Sequence, residues 1–308
     1  MEEKMSEIEF QTQLANETKE IEEIIKKYLP EETGYQKTVI EAMNYSMLAG
    51  GKRLRPMLMR ETYRMLGGRG TEIECFMAAI EMIHTYSLVH DDLPAMDNDE
   101  YRRGRKTTHI VYGEGMGILA GDGLLNFAFE TAMKSFDMVS ENPYKLLACA
   151  RAMQVLGKKA GIYGMIGGQT ADIEAEEKDD VLTGEQLLFI HEHKTAALIQ
   201  ASMMIGAILA GASDAQVDAI EKCAYNIGIA FQIQDDILDV IGDSAELGKT
   251  VGSDANNNKQ TYVTIYGLDK SKDDVAALSK EAVAILNGFD GEHAFLEQLI
   301  LTLIHRRK

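Results

Sequence analysis

Apolar residues recur at helical spacing along most of the chain. The segment over about residues 4–28 places Phe10, Leu14, Ile21 and Ile25 near one helical face, and Pro30 closes it. The same pattern predicts further helices at about 37–49, 74–92, 124–138 and 145–166, a buried helix in 195–213, and two peripheral helices in 271–305. Few prolines and no linker or repeat interrupt this pattern. We therefore expect an all-α protein, a single large helical bundle over residues 1–308 around a central apolar cavity.

Composition agrees with a large core and restricts the partners. Apolar residues make up 45% of the chain, 17 of them methionine, which suits a flexible apolar ligand as well as ordinary core packing. The net charge of −18 disfavours nucleic acid and anionic membrane surfaces as partners. It does not disfavour an anionic small molecule, because basic residues can be concentrated locally.

Cellular location follows from three observations. Three cysteines at irregular spacing form neither a disulfide framework nor a zinc pattern, which predicts a reducing, cytoplasmic setting. The acidic start of the chain lacks the apolar core of a signal peptide. The uncharged stretch Thr195–Ser213 is interrupted by Gln200 and Gly206, so we interpret it as a buried helix rather than a membrane span.

Candidate chemistry lies in two aspartate clusters. Asp235 and Asp239 are one helical turn apart in an apolar run, with Asp236 beside them. Like charges at this spacing repel unless a cation lies between them. A solvated acidic face is the simpler interpretation of one such cluster.

The second cluster changes that balance. Asp91 and Asp92 end another apolar helical stretch, and Pro94 predicts a bend that brings Asp97 back toward the pair. Two carboxylate clusters at the ends of apolar helices predict facing walls of one metal site. Carboxylate oxygens, with room for phosphate oxygens, are what Mg²⁺ takes.

These motifs carry a resemblance. DDxxxxD followed by RRG, and DDxxD near residue 235, resemble the two aspartate-rich motifs of the trans-isoprenyl diphosphate synthases, the bacterial farnesyl diphosphate synthases in particular. The resemblance extends from about Gly50 to about Tyr262. It implies several magnesium ions on Asp91, Asp97, Asp235 and Asp239, with Asp92, Asp236 and Lys194 also catalytic, and it implies a homodimer.

Basic and polar residues gain roles from the same resemblance. Alone, Lys52, Arg53 and Arg55 would be a surface cluster, His84 a core histidine, and Arg102 with Arg103 a surface ion-pair network. The family pattern instead implies an isopentenyl diphosphate site at Lys52, Arg55, His84 and Arg103, with Arg53 a weaker candidate. It implies allylic diphosphate contacts, from dimethylallyl or geranyl diphosphate, at Arg102, Lys194, Thr195 and Gln232, with cations at Lys249 and Lys259. Gln169 and Asp172 belong to a GGQxxD segment that either faces the diphosphate or caps a helix turn, and Lys106 stands where the family usually has proline.

Product length is a steric question on the first aspartate helix. Tyr86 lies five residues before Asp91, about 7.5 Å along a helix, so its ring would floor the cavity. Ser87 is small and adds no further block. In the family an aromatic residue at this position, together with the longer DDxxxxD motif, implies a C15 product, farnesyl diphosphate.

Alternatives remain open. A C20-forming geranylgeranyl diphosphate synthase would share every motif and differ only in the depth of the floor. A class I terpene cyclase shares DDxxD but needs no isopentenyl site, and a non-catalytic subunit of a heterodimeric synthase would be expected to lose one aspartate motif. A di-iron helical bundle would need Glu-x-x-His pairs on its helices, of which Glu81 and His84 supply one.

Overall fold

The computed structural model describes residues 5–177, 182–241 and 260–304. Its α-helices in the first half of the chain are α1 (Glu7–Lys27), α2 (Lys37–Met47), α3 (Leu54–Met65), α4 (Ile73–Asp91), α5 (Thr108–Tyr112), α6 (Glu114–Met138) and α7 (Pro143–Ala160). Those that follow are α8 (Met165–Glu177), α9 (Gly184–Ile190), a π-helix (His191–Ala196), α10 (Ala197–Leu209), α11 (Asp214–Ile241), α12 (Tyr262–Tyr266), α13 (Leu268–Leu286) and α14 (Ala294–Ile304). In these ranges the strands are a single short hairpin, β1 (Tyr101–Arg102) and β2 (Arg105–Lys106). The predicted all-α class is confirmed.

Contacts divide the chain into two compact units, and the single domain stays a prediction. The first unit comprises Gln11–Arg60 and Arg69–Met153. Helix α4 packs along α6 there, and α2 packs against both. Most residues of α4 are buried on every side, which explains why its sequence is apolar all round rather than amphipathic.

Helix α6 begins earlier than the pattern predicted. It starts at Glu114 rather than near residue 124, and it runs through several glycines. A Cβ at Gly121 would lie 2.0 Å from the His90 ring, and one at Gly117 would lie 3.1 Å from Leu93. These glycines let the α6 backbone approach α4 and the aspartate loop that follows it, a tertiary gain that offsets their poor helix propensity.

The second unit contains Glu61–Gly68 and the described residues from Gln154 onward, together with residues 5–10. Helix α11 is its central element and packs against α10, α13 and the π-helix. Every residue of α10 is buried, so the predicted buried helix is confirmed. No helix among the described residues is long and apolar enough to cross a membrane, and the three cysteines are buried thiols.

The predicted helix over 145–166 was wrong beyond Ala160. Helix α7 ends at Ala160, and α8 starts at Met165. A Cβ at Gly164 would lie 2.0 Å from the Lys159 carbonyl oxygen, so the chain turns back too tightly there for a side chain. The turn separates α7 from the segment that carries Gln169 and Asp172.

Candidate active site

The first aspartate motif folds back on itself after α4. Helix α4 ends at Asp91, and the backbone N–H of Asp97 donates to the Asp91 carbonyl oxygen at 2.9 Å. The N–H of Asn98 donates to the Leu93 carbonyl oxygen at 3.1 Å, and Asn98 has a left-handed φ of 54°. The bend predicted at Pro94 is therefore confirmed, and it brings Asp97 beside Asp91.

Asp92 is engaged by a protein cation. It is buried, and its Oδ1 accepts from Arg102 Nε at 2.7 Å and from the terminal guanidinium nitrogen at 2.6 Å. Burial raises the pKa of Asp92, and the Arg102 guanidinium opposes that rise. Asp99 lies 3.7 Å from the same guanidinium. Asp92 thus orients Arg102, with Asp91 and Asp97 on the same short turn.

Arg102 and Arg103 lie on the 101–106 hairpin, which is Tyr101–Arg102 paired with Arg105–Lys106. The turn residues Arg103 and Gly104 have φ of 53° and 72°, the positive values that a two-residue I′ turn requires. A guanidinium nitrogen of Arg103 donates to the Gly50 carbonyl oxygen. The hairpin therefore connects the first aspartate motif with the Gly50–Gly51 turn.

Lys106 occupies a position of the hairpin that needs no backbone N–H donor. Hydrogen-bonded and non-hydrogen-bonded pairs alternate in an antiparallel ladder. Thr107 N–H donates to the Glu100 carbonyl oxygen at 3.0 Å, which makes the intervening Tyr101–Lys106 pair the non-hydrogen-bonded one. The Lys106 N–H therefore takes no part in the ladder, so a proline at this position would remove no hydrogen bond between the strands.

The basic loop before α3 separates into a structural arginine and candidate ligands. Arg53 is 4% exposed, has a left-handed φ of 49°, and donates to Glu81 Oε1 at 2.8 Å and to the Met47 carbonyl oxygen at 2.8 Å. It therefore fixes the loop, and Glu81 is its partner. Lys52 is exposed and Arg55 is half-buried, which leaves these two as the candidate diphosphate contacts.

His84 lies on α4 three residues beyond Glu81 and is half-buried. Burial lowers its pKa well below the ordinary value, and the positive charges of Arg55, Arg103, Arg102 and Arg53 lower it further. His84 is therefore a neutral hydrogen-bonding group in a positive field. That field would attract an anion.

The second aspartate motif lies near the end of α11. Asp235 is half-buried, Asp236 and Asp239 are buried, and the helix remains regular through all three. The backbone N–H of Tyr262 donates to Asp236 Oδ2 at 2.6 Å, and His191 Nε2 lies 3.8 Å from the same oxygen. As at Asp92, the second residue of the aspartate pair has protein partners.

A π-helix presents the candidate cation of the second unit. Lys194 Nζ donates to Asp172 Oδ2 at 2.5 Å, and Thr195 Oγ1 donates to Gln232 Oε1 at 2.5 Å. These contacts place the α8 and α11 candidates beside the Lys-Thr pair. Gln169 lies on the same helix as Asp172, one turn earlier. π-Helices are rare and occur preferentially at functional sites.

Two glycines accommodate the π-helix, a feature that motif analysis missed. A Cβ at Gly168 of α8 would lie 2.0 Å from the Lys194 backbone nitrogen. One at Gly228 of α11 would lie 2.3 Å from the Ala196 Cβ. The wide turn therefore fits only because both neighbouring helices lack a side chain at the contact.

Tyr86 and Ser87 lie on α4 as predicted. Tyr86 is 5% exposed, its ring meets His90 edge-on at 5.8 Å, and its buried hydroxyl has no hydrogen-bond partner among the described residues. Burial, with the Asp91 charge as a smaller effect, raises the pKa of Tyr86 to about 12. Ser87 Oγ donates to the His84 carbonyl oxygen at 2.9 Å. Lys249 and Lys259 lie outside the described residues.

The donor set fits magnesium better than zinc or iron. Both motifs offer carboxylate oxygens, and no group of three or more His, Cys, Asp or Glu side chains gathers at one point in the described ranges. Mg²⁺ commonly takes one or two carboxylates and completes its shell with water and phosphate oxygens. A di-iron centre at Glu81 and His84 is disfavoured, because Glu81 pairs with Arg53.

Comparison with known proteins defines the class. The polyprenyl synthetase family model matches residues 36–293. A chloroplastic geranylgeranyl pyrophosphate synthase of Capsicum annuum is 47% identical over 254 residues, covering 82% of this chain and 67% of that protein. The farnesyl diphosphate synthase of Geobacillus stearothermophilus is 44% identical over 288 residues, covering 92% of this chain and 94% of that protein.

A solved structure agrees with these sequence matches. The geranyltransferase of Helicobacter pylori, complexed with magnesium and isoprenyl diphosphate, is 31% identical, has a TM-score of 0.79 and covers 98% of each chain. The chain therefore belongs to the polyprenyl synthetase family. Within that family, both C15-forming and C20-forming relatives resemble it to a similar degree.

Proposed function

We propose that this prenyltransferase is a farnesyl diphosphate synthase, which condenses isopentenyl diphosphate with dimethylallyl and then geranyl diphosphate. Family membership supports the reaction class. The observation that carries the C15 product is the buried Tyr86 ring, five residues before Asp91 on α4. A rigid ring at that depth would stop a growing prenyl tail after three isoprene units.

The reaction needs a departing diphosphate and a protected carbocation. The carbon–oxygen bond of the allylic diphosphate breaks, the double bond of isopentenyl diphosphate attacks the cation, and a proton is lost to the released diphosphate. Arg102 and Lys194 would stabilise the charge on the leaving group, since guanidinium and ammonium groups aimed at developing charge lower the barrier. The apolar wall that α4 supplies would exclude water from the cation.

Lys52, Arg55, Arg103 and neutral His84 would bind the isopentenyl diphosphate. Asp91, Asp97, Asp235 and Asp239 would hold the magnesium ions. When bound, magnesium neutralises diphosphate charge and makes it a better leaving group. Asp92 and Asp236 would position the neighbouring parts of the site. Asp92 accepts a hydrogen bond from Arg102, and Asp236 accepts one from the Tyr262 N–H.

A second candidate is a C20-forming geranylgeranyl diphosphate synthase. The observation that favours it is the 47% identity to the Capsicum annuum protein. It shares the reaction and differs in where the tail stops.

We also propose a homodimer. The first unit exposes several large apolar side chains on α5, α6 and α7, namely Ile110, Val111, Ile118, Leu119 and Leu147. Apolar surface of this kind is typical of an interface. Light scattering should give twice the chain mass, and a monomer at working concentration would contradict the proposal.

Product analysis tests the function directly. The purified protein would be incubated with Mg²⁺, isopentenyl diphosphate and either dimethylallyl or geranyl diphosphate, and the products dephosphorylated and measured by mass spectrometry. A dominant C15 alcohol from both primers, abolished by EDTA, is the expected result. A dominant C20 alcohol would support the second candidate, and no elongation would refute both.

A further inference from the structure

The 101–106 hairpin needs support from outside itself. It has only two residues in each strand, and an isolated two-stranded hairpin is marginal in water. Its turn places Arg103, a residue with a Cβ, at a left-handed φ of 53°, which persists only where the surroundings enforce it. Five of its six residues are exposed and Arg102 is half-buried. Tight core packing therefore does not hold it.

Helix α2 supplies the support, mainly through one residue. The Tyr45 hydroxyl donates to the Lys106 carbonyl oxygen at 2.8 Å. The Arg105 guanidinium stacks over the Tyr45 ring at 4.3 Å, within the range of a cation–π contact. Arg105 also donates to the Leu48 carbonyl oxygen at 3.2 Å. Tyr45 thus contacts both residues of β2, one with its hydroxyl and one with its ring.

Fixing β2 also fixes the neighbouring strand. The register pairs Arg105 with Arg102 and Lys106 with Tyr101. Arg102 reaches Asp92 from β1, and Arg103 reaches the Gly50 carbonyl oxygen from the turn. Each of these guanidinium groups is therefore placed by a strand or turn that Tyr45 anchors.

We propose that Tyr45 is a positioning residue for the two substrate-binding arginines, Arg102 and Arg103. It acts through the hairpin and contacts neither diphosphate. This inference rests on the proposed function for its kinetic consequence. The anchoring itself is a property of the fold and can be measured separately.

The test uses Tyr45→Phe and Tyr45→Leu, with Tyr112→Phe as a matched control. Tyr112 packs edge-on against the Tyr45 ring at 5.6 Å, so its variant removes a hydroxyl from the same aromatic pair and leaves both rings. Hydrogen exchange of the peptide containing Thr107, whose N–H closes the hairpin, reports the anchoring. Steady-state kinetics with each substrate varied in turn report how well Arg102 and Arg103 bind the substrates.

Loss of one hydrogen bond predicts about 3–10-fold faster exchange and a similar rise in KM for Tyr45→Phe. Tyr45→Leu should raise the exchange rate and KM further than Tyr45→Phe does, with kcat changed less than KM. Tyr112→Phe should stay close to wild type in both measurements. Exchange and KM equal to those of the control in both Tyr45 variants would overturn the proposal. So would a lowered melting temperature without any change in hairpin exchange. Faster exchange in a protein that elongates no prenyl diphosphate would sustain the anchoring and refute only the proposed function.

Discussion

The two compact units present similar chemistry by different structural means. In the first unit, Arg102 is held by a charge-assisted bond to buried Asp92 on a hairpin with a strained turn. In the second, Lys194 projects from a π-helix that fits between Gly168 and Gly228. Lys194 also pairs with a carboxylate, that of Asp172. The difference therefore lies in the support, which is a short exposed hairpin in the first unit and close backbone packing around a π-helix in the second. The difference predicts that the units respond to different kinds of substitution.

Replacing the second aspartate of each motif should give the largest contrast. Asp92→Asn removes the charge that pairs with Arg102, and hydrogen bonds to charged groups contribute about 1.5–3 kcal/mol. We expect kcat/KM to fall roughly 10–100-fold. Asp236→Asn retains an oxygen that can accept a hydrogen bond from the Tyr262 N–H. The kcat/KM of this variant should therefore fall only a few-fold. Equal losses in steady-state assays would show that the second unit also depends on charge pairing here.

Gly168→Ala should disturb the π-helix of the second unit. Its Cβ would meet the Lys194 nitrogen at 2.0 Å, so the π-helix or α8 must move. Overpacking of this kind costs about 1–3 kcal/mol, and we expect a raised KM for the allylic substrate. Thermal unfolding and kinetics measure the two effects.

Gly115→Ala is the control for that substitution. Gly115 lies in α6, and apart from its own stretch of helix no atom lies within 4 Å of the added Cβ. Alanine there should leave the melting temperature equal or slightly higher, because it favours helix. Similar losses of thermal stability in both variants would contradict the claim that Gly168 is needed to accommodate the π-helix.

The smallest expected effect concerns pH. Folding lowers the pKa of His84, chiefly by burial and then by the nearby arginines. Below about pH 6.5, where a free histidine takes up its proton, the unfolded chain binds more protons than the folded one. His84 therefore makes stability fall as pH decreases through 6.5.

His84→Gln should remove this contribution. The melting temperature of the wild type minus that of the variant should decrease between pH 7.5 and pH 5.5. A constant difference across that range would show that His84 is protonated in the folded protein as readily as in the unfolded chain.

Local signals predicted more of the first unit than of the second. Pro94 correctly predicted the bend that brings Asp97 to Asp91, because proline limits backbone geometry wherever it occurs. The absence of charge in Thr195–Ser213 correctly predicted the buried α10. The π-helix was missed, since the sequence from His191 to Ala196 also suits an α-helix and the widening depends on contacts with Gly168 and Gly228. Tertiary contacts likewise decided the early start of α6.

The structural role of Arg53 at the candidate site also could not be predicted from the local sequence. Its sequence neighbour Lys52 is exposed and Arg55 is half-buried, and nothing in the local sequence distinguishes the three cations. Burial and the bond to Glu81, 28 residues away, make Arg53 structural. The family pattern indicated the loop as a whole, and the fold separates the buried, paired Arg53 from the candidate ligands Lys52 and Arg55.

Product length in Tyr86 variants tests the central claim most directly. Tyr86→Ala and Tyr86→Phe would be assayed with geranyl diphosphate, isopentenyl diphosphate and Mg²⁺ under one set of conditions. Tyr86→Phe keeps the ring and removes only a hydroxyl that has no partner among the described residues, so C15 should remain the main product. Tyr86→Ala should shift the main product to C20 by removing the floor. An unchanged C15 product from a folded, active Tyr86→Ala enzyme would contradict the account.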